Sequence, residues 1–97
     1  MIRKAADRDL ERIMQIEEIC FSSRWTKEMF LYELHENEFG HFYVLEENQK
    51  IAGFIDFWIT FECCQLANIA VHPSFQRRGY SRCLMDFMIA SAEQEEC

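Results

Sequence analysis

Apolar residues recur along this chain at two spacings, and the switches between them divide it into elements. From Asp7, placed to cap a helix, Leu10, Ile13, Ile16 or Glu17, and Cys20 follow at helical intervals. Thr26 is placed to cap a second helix carrying Phe30, Leu31 and Leu34. A short strand at residues 2–4 precedes both. Residues 42–46 and 51–60 are rich in aromatic and β-branched side chains, and the polar Glu47-Asn48-Gln49-Lys50 between them predicts an antiparallel hairpin. Apolar residues fill both alternating sets of the longer strand, which predicts that it is covered on both faces. Residues 64–71 form the next strand and His72-Pro73 stops it. Residues 79–92 complete the pattern as a helix with Cys83, Leu84, Phe87, Met88 and Ser91 along one side. The order β-α-α-β-β-β-α predicts an α/β fold, an α+β arrangement with a mixed sheet, with helices on either side of the sheet. No repeat, linker or low-complexity stretch interrupts it.

The junction between the last strand and the last helix carries the most chemistry. Gln76-Arg77-Arg78-Gly79-Tyr80-Ser81 forms a basic glycine loop that opens a helix. The first turn of a helix leaves backbone N–H groups without partners, and the helix dipole adds a partial positive charge there. Arg77 and Arg78 add full charges, while Gly79 lets the backbone approach a ligand closely. These features define an anion site suited to a pyrophosphate.

The same residues resemble the acetyl-CoA pyrophosphate loop of the GCN5-related N-acetyltransferases, Q/R-x-x-G-x-G/A, preceded in that family by a strand of the I-A-V-x-P type. Ile69-Ala70-Val71-His72-Pro73 matches that strand. Ser81 departs from the usual Gly or Ala, yet it is small and can donate to phosphate. Within the family, Asn68-Ile69-Ala70-Val71 and Ile16-Glu17 through Phe21 before Trp25-Thr26 are similar to the ribosomal-protein N-terminal alanine acetyltransferases. That group often has Pro-Trp-Ser where this chain has Arg24-Trp25-Thr26. The resemblance covers essentially the whole chain as the first part of the acyl-CoA N-acyltransferase fold, a single domain over residues 1–97 that is C-terminally incomplete. About 40–50 further residues would finish it, and the acidic Glu93-Gln94-Glu95-Glu96, unfavourable at a helix C-terminus, agrees with an interrupted helix.

What the resemblance implies is an enzyme that moves an acetyl group from acetyl-CoA, without a metal, to a primary amine. The implied acceptor is a protein N-terminus, in particular that of a ribosomal protein, with a small-molecule amine as the alternative. Ile69, Ala70 and Val71 would pair with the pantetheine amides, and Gln76, Arg77, Arg78, Gly79, Tyr80, Ser81 and Arg82 would hold the pyrophosphate. The family's usual base and acid lie on elements beyond the matched part, so neither role is carried onto a residue of this chain. Glu62, at the mouth of the strand, is the remaining catalytic candidate. A non-catalytic reading is a truncated acetyl-CoA-binding or protein-interaction module, whose fourth strand is an exposed edge open to dimerisation or element swapping.

Composition narrows the partners. The net charge of −7 opposes general nucleic-acid binding and suits basic partners, although solubility is the weightier account of it. No apolar run is long enough for a membrane helix, and the five cysteines are odd in number and lack a C-x-x-C, which predicts reduced thiols in a cytoplasmic protein. His72 reads as a turn residue before Pro73, and His35 and His41 have less claim to chemistry. Cys63 and Cys64 read as strand fillers. Asp56, a carboxylate inside an apolar strand, needs either a partner or a place near the exposed end of the sheet.

Overall fold

The strand with apolar residues on both faces, β3 (Lys50–Ile59), is the one on which the sheet is assembled. The computed structural model describes residues 1–22, 24–61 and 63–95. The elements preceding β3 are β1 (Ile2–Lys4), α1 (Leu10–Cys20), α2 (Lys27–His35) and β2 (Gly40–Glu47). After it come β4 (Cys64–Val71) and α3 (Tyr80–Gln94). The four described strands lie in the order β1-β2-β3-β4, and every pairing is antiparallel. The expected element order and α/β class are therefore present, with an antiparallel sheet over these residues.

Two hydrophobic layers explain the pattern of β3. On one face Phe54 packs with Ile13 and Ile16 of α1, Phe30 of α2, Phe42 and Val44 of β2 and Ala70 of β4. On the other, Ile55 and Phe57 pack with Leu45, Val71 and Leu84 of α3. Ile13, Ile16, Phe30, Phe54, Phe57 and Leu84 are fully buried. Removing each from water contributes about 1.5–3 kcal/mol before conformational entropy is subtracted.

Several local expectations change in the structure. Asp7 does not cap α1; it begins a short 3-10 turn at Asp7–Asp9, and its carboxylate meets the exposed His35 imidazole at 2.7 Å. The buried Asp9 stands at the N-cap position of α1 without a side-chain cap bond to it; its carboxylate accepts from the Ala6 N–H at 2.8 Å and receives the Arg3 guanidinium through two contacts of 2.8 and 2.9 Å. Burial pushes the Asp9 carboxyl up, but the Arg3 and Ala6 hydrogen bonds outweigh it and hold the group below its ordinary value. Thr26 caps α2 as expected, accepting from the Met29 N–H at 3.2 Å. Cys83 faces solvent, and Leu84 and Ala92 are the buried residues of α3. Cys63 is exposed and precedes β4, so it fills no strand.

The hairpin turn is tighter than the polar run suggested. Both strands extend into it, leaving only Asn48 and Gln49, with φ of 52° and 66°. Two central residues at positive φ define a type I′ turn, whose twist matches that of paired strands. Gln49 has a Cβ in a region that favours glycine. Gln49→Gly should therefore raise stability by up to about 1 kcal/mol, read as a higher urea midpoint at unchanged slope; an unchanged or lower midpoint would contradict this turn assignment.

Candidate functional site

The edge of β4 and the loop after it bring most of the sequence-selected residues together. The His72 N–H donates to the Ala52 carbonyl at 2.8 Å, which fixes the alternation along the strand. Val71 and Ile69 then turn their N–H and C=O groups to the open edge, while Ala70 turns its own toward Phe54 of β3. Ala70 thus backs the edge and its backbone is not available on it. Gly53 permits this close pairing, because a Cβ there would stand 2.6 Å from the Ala70 carbonyl oxygen. One extra residue, Ala67, bulges out of β4 between the Asp56–Asn68 and Phe57–Leu66 pairs.

Beyond β4, Pro73–Phe75 form a 3-10 turn closed by His72, whose Nδ1 accepts from the Ser74 N–H at 3.0 Å. Partial burial, then the nearby Arg12 charge, favour the neutral imidazole, so His72 serves the turn. The loop residues Gln76, Arg77, Arg78 and Gly79 are exposed, as are Ser81 and Arg82 on the first turn of α3. Gly79 is the N-cap, left-handed at φ 77°, and no side chain caps the helix start. A Cβ at Gly79 would meet nothing within 4 Å. Its role is therefore conformational, and the N–H groups of Tyr80, Ser81 and Arg82 lie ahead of the helix ladder with no side chain capping the helix start. The first bond of the helix ladder joins the Cys83 N–H to the Gly79 carbonyl at 3.0 Å.

Not every loop side chain is free. Gln76 Nε2 donates back to the Val71 carbonyl at 3.2 Å, fastening the loop to the strand. The Tyr80 hydroxyl donates to Glu47 at 3.1 Å, anchoring the start of α3 to the end of β2. Arg78 lies over the Phe75 ring at 5.3 Å and Arg77 adopts φ 67°. The exposed cations of the loop and the first turn of α3 are Arg77, Arg78 and Arg82, the last 4.0 Å from Asp86. Glu62 lies outside the described residues.

A second group of residues, which the sequence reading did not assemble, lies under the α1–α2 face. Glu17 is buried, and its two oxygens accept from Asn68 Nδ2 at 2.9 Å and from the Trp25 N–H at 2.8 Å. Buried Glu33 of α2 accepts from Trp58 Nε1 at 2.8 Å and from Asn37 Nδ2 at 3.0 Å. Asp56 is fully buried and neither oxygen has a hydrogen-bond partner, which corrects the expectation of a place near the sheet's exposed end. Burial and the neighbouring Glu33 carboxylate push its pKa up to about 9. Protonated, Asp56 can donate to Glu33. The one signal in sequence was a carboxylate inside an apolar strand; Glu33, four residues before Asn37 and in helical register with apolar neighbours, gave none.

Cys20, whose thiol donates to the Val71 carbonyl at 3.4 Å, has its pKa raised by burial and then by Glu17. His41 stacks on Phe57 at 5.1 Å, and burial favours its neutral form. Among the described residues no group of three or more His, Cys, Asp or Glu could hold a metal ion, and no helix is long and apolar enough to cross a membrane.

Comparison with known proteins places this geometry. The model of the acetyltransferase (GNAT) family matches residues 10–97. A Bacillus subtilis protein provisionally named a ribosomal-protein-bS18-alanine N-acetyltransferase is 28% identical over 95 residues, covering 98% of this chain and 63% of its own. The crystal structure of the ribosomal-protein-S18-alanine N-acetyltransferase from Escherichia coli superposes with a TM-score of 0.87 at 27% identity, over 98% of this chain and 60% of that one. A PaiA N-acetyltransferase from Thermoplasma acidophilum, solved with coenzyme A, shares the fold at TM-score 0.84 and 17% identity, over 99% of this chain and 73% of that one. The chain thus spans about three fifths of the length of its ribosomal-protein-alanine acetyltransferase relatives.

Asp56 makes stability depend on pH. Its folded value, about 9, lies above the ordinary 3.8, so the native state holds a proton that the unfolded chain releases. The stabilisation is complete below about pH 4 and is lost as pH rises toward about 9, by up to about 1.4 kcal/mol per pH unit. Asp56→Asn, which keeps a donor and cannot ionise, should flatten this slope and be the more stable form at pH 8 in urea titrations. Equal slopes for the two proteins would overturn the assignment.

Proposed function

The chain belongs to the GNAT acetyltransferase family, and from that premise we propose that its β4 edge and glycine loop bind acetyl-CoA for transfer of the acetyl group to an N-terminal α-amine, with residues 1–97 acting as the cofactor-binding part of one such domain. The observation that carries this reading is the start of α3, where left-handed Gly79 is the N-cap, no side chain caps the first three N–H groups, and Arg77, Arg78 and Arg82 are exposed beside them in sequence. Such a cradle fits a pyrophosphate. The outward backbone groups of Ile69 and Val71 fit the amides of a pantetheine arm laid along the edge. Val71 offers mainly its N–H, since Gln76 and Cys20 already occupy its carbonyl.

Acetyl-CoA supplies an activated thioester, so the protein's share of the work is to hold the two reactants in register and exclude competing arrangements. Gln76 keeps the loop against the strand, and Tyr80 fixes the first turn of α3. The relatives and amine chemistry both support an N-terminal amine as the acceptor. An α-amino group with pKa about 7.7–8.0 is roughly 10–20% neutral at pH 7, whereas a lysine at about 10.4 is well under 0.1% neutral. An N-terminal amine therefore demands less of a base. The ribosomal-protein acetyltransferases named above support a ribosomal protein as the acceptor, and a protein of net charge −7 suits a basic one. The unpaired edge of β4 favours one other reading, pairing with a second chain, which is recognised by a concentration-dependent dimer.

Calorimetric titration with acetyl-CoA tests the cofactor site. The folded chain should bind, with affinity falling as salt is raised, and the Arg78→Ala/Gly79→Asp double variant should bind at least about tenfold more weakly, a loss of about 1.4 kcal/mol. No heat of binding to a chain shown folded by circular dichroism, or equal affinity in the double variant, would sink the assignment.

A further inference from the structure

Lysine and arginine are outnumbered in this chain, 10 against 17 aspartates and glutamates, yet four of them line one cavity. It encloses about 490 Å³ at the corner where β1, the first turn of α1 and the β2–β3 turn meet, and its cations are Arg3, Arg8, Arg12 and Lys50. Two carboxylates, Asp9 and Glu46, line it as well, and four cations against two acids leave positive charge in excess. In a protein of net charge −7 this is a local reversal of sign.

The hydrogen bonds decide which of these charges a ligand can use. Arg3 is spent: its two terminal nitrogens reach Asp9 at 2.8 and 2.9 Å, and its Nε reaches Glu46 at 3.3 Å. The same contacts occupy both carboxylates, and Asp9 also accepts from the Ala6 N–H. Arg12 is half-buried and oriented, its Nε donating to the Ile51 carbonyl at 3.2 Å and its Nη1 to Gln15 at 3.3 Å. Its Nη2 has no partner among the described residues. Arg8 and Lys50 are exposed, and neither side chain has a hydrogen-bond or ion-pair partner among those residues. Three available cations thus come from three elements, the 3-10 turn at Asp7–Asp9, α1 and β3, around one space. A tetrahedral phosphate presents oxygens in several directions and pairs strongly with guanidinium and ammonium groups, which makes it the chemical class that fits.

The cavity and the glycine loop lie at the same end of the sheet. Lys50 is the strand partner of Glu47, the residue that accepts from the Tyr80 hydroxyl at the start of α3. Arg12 is bound to the Ile51 carbonyl, and the neighbouring Ala52 carbonyl takes the His72 N–H at 2.8 Å, so Arg12 stands close enough for its charge to act on His72. We propose that Arg8, Arg12 and Lys50, backed by the Arg3–Asp9–Glu46 cluster, form a second anion site that takes a phosphate group, supplied either by the ribose 3′-phosphate of an acetyl-CoA held at the glycine loop or by a free phosphate-type anion. The first source rests on the acetyl-CoA reading given above; the second rests on the cavity alone.

Calorimetric titration with acetyl-CoA, 3′-dephospho-acetyl-CoA and inorganic pyrophosphate tests the site. The variant is Arg8→Gln/Lys50→Gln, which removes two side chains that hold nothing in the fold. Arg24→Gln/Lys27→Gln, the same charge change at exposed positions elsewhere, is the control. If the cofactor supplies the phosphate, acetyl-CoA binds at least about tenfold tighter than its dephospho form, and the variant, unlike the control, brings that ratio close to one. If the anion is free, pyrophosphate still binds with saturation when the loop carries Arg78→Ala/Gly79→Asp, and adding Arg8→Gln/Lys50→Gln weakens that binding at least about tenfold. Neither effect, or an equal effect in the control, overturns the second site. The two readings fail separately. No binding of acetyl-CoA, with pyrophosphate binding retained by the loop variant and lost with Arg8→Gln/Lys50→Gln, refutes the cofactor reading and leaves the second site standing. Acetyl-CoA binding that is indifferent to the 3′-phosphate, with no pyrophosphate bound once the loop is altered, refutes the second site alone.

Discussion

A single buried carboxylate, Glu17, sets the relation between the parts of this molecule that matter most. It sits one turn before the end of α1 and reaches two elements at once, the segment leading into α2 through the Trp25 N–H and β4 through Asn68. Replacing it by an apolar residue would leave the buried Asn68 amide without a partner, at a cost of about 1–3 kcal/mol, and free the half-buried Trp25 N–H. The consequence would be more than lost stability. The same two bonds hold the bulged stretch of β4 and the segment leading into α2 in register, so both are placed by one side chain.

The layer on the other side of the sheet performs a complementary task. Leu84 of α3 is fully buried against Ile55, Phe57 and Val71, which directs the start of that helix to the end of β4. Tyr80 and Gln76 then fasten the loop at both ends, to β2 and to β4. Between the fastenings the backbone takes two left-handed residues, Arg77 and Gly79. Conformational strain at Arg77 is tolerated because both flanks are held, and the result is a helix start whose donors face outward.

Carboxylate clustering is the unusual feature of the α1–α2 face. Glu17, Glu33 and Asp56 are all buried there, and the first two are satisfied by amide and indole donors. Asp56 is the exception, kept neutral by burial and by Glu33. Burying an ionisable acid, even one kept neutral, is a cost to the fold. Its position beside Glu33 ties that cost to the carboxylate that orients the Trp58 indole.

The sequence by itself determined the element order, the two-faced burial of β3 and the basic, glycine-opened start of the helix after β4. Each of these depends on local spacing, because helical and strand periodicities, a Pro-bearing stop and a glycine before a helix act over a few residues. Tertiary structure decided what those residues do with their side chains. Gln76 and Tyr80 belong to the loop motif in sequence yet serve as fastenings, since their partners Val71 and Glu47 are brought beside them only by the sheet. Ala70 stands in the middle of the edge motif and faces inward, because strand pairing sets which backbone groups alternate outward. Glu33 and Trp58 lie 25 residues apart, and Glu17 and Asn68 lie 51 apart. No local pattern marks such pairs: a carboxylate in a helix reads as solvated until packing closes over it and donors from distant elements arrive.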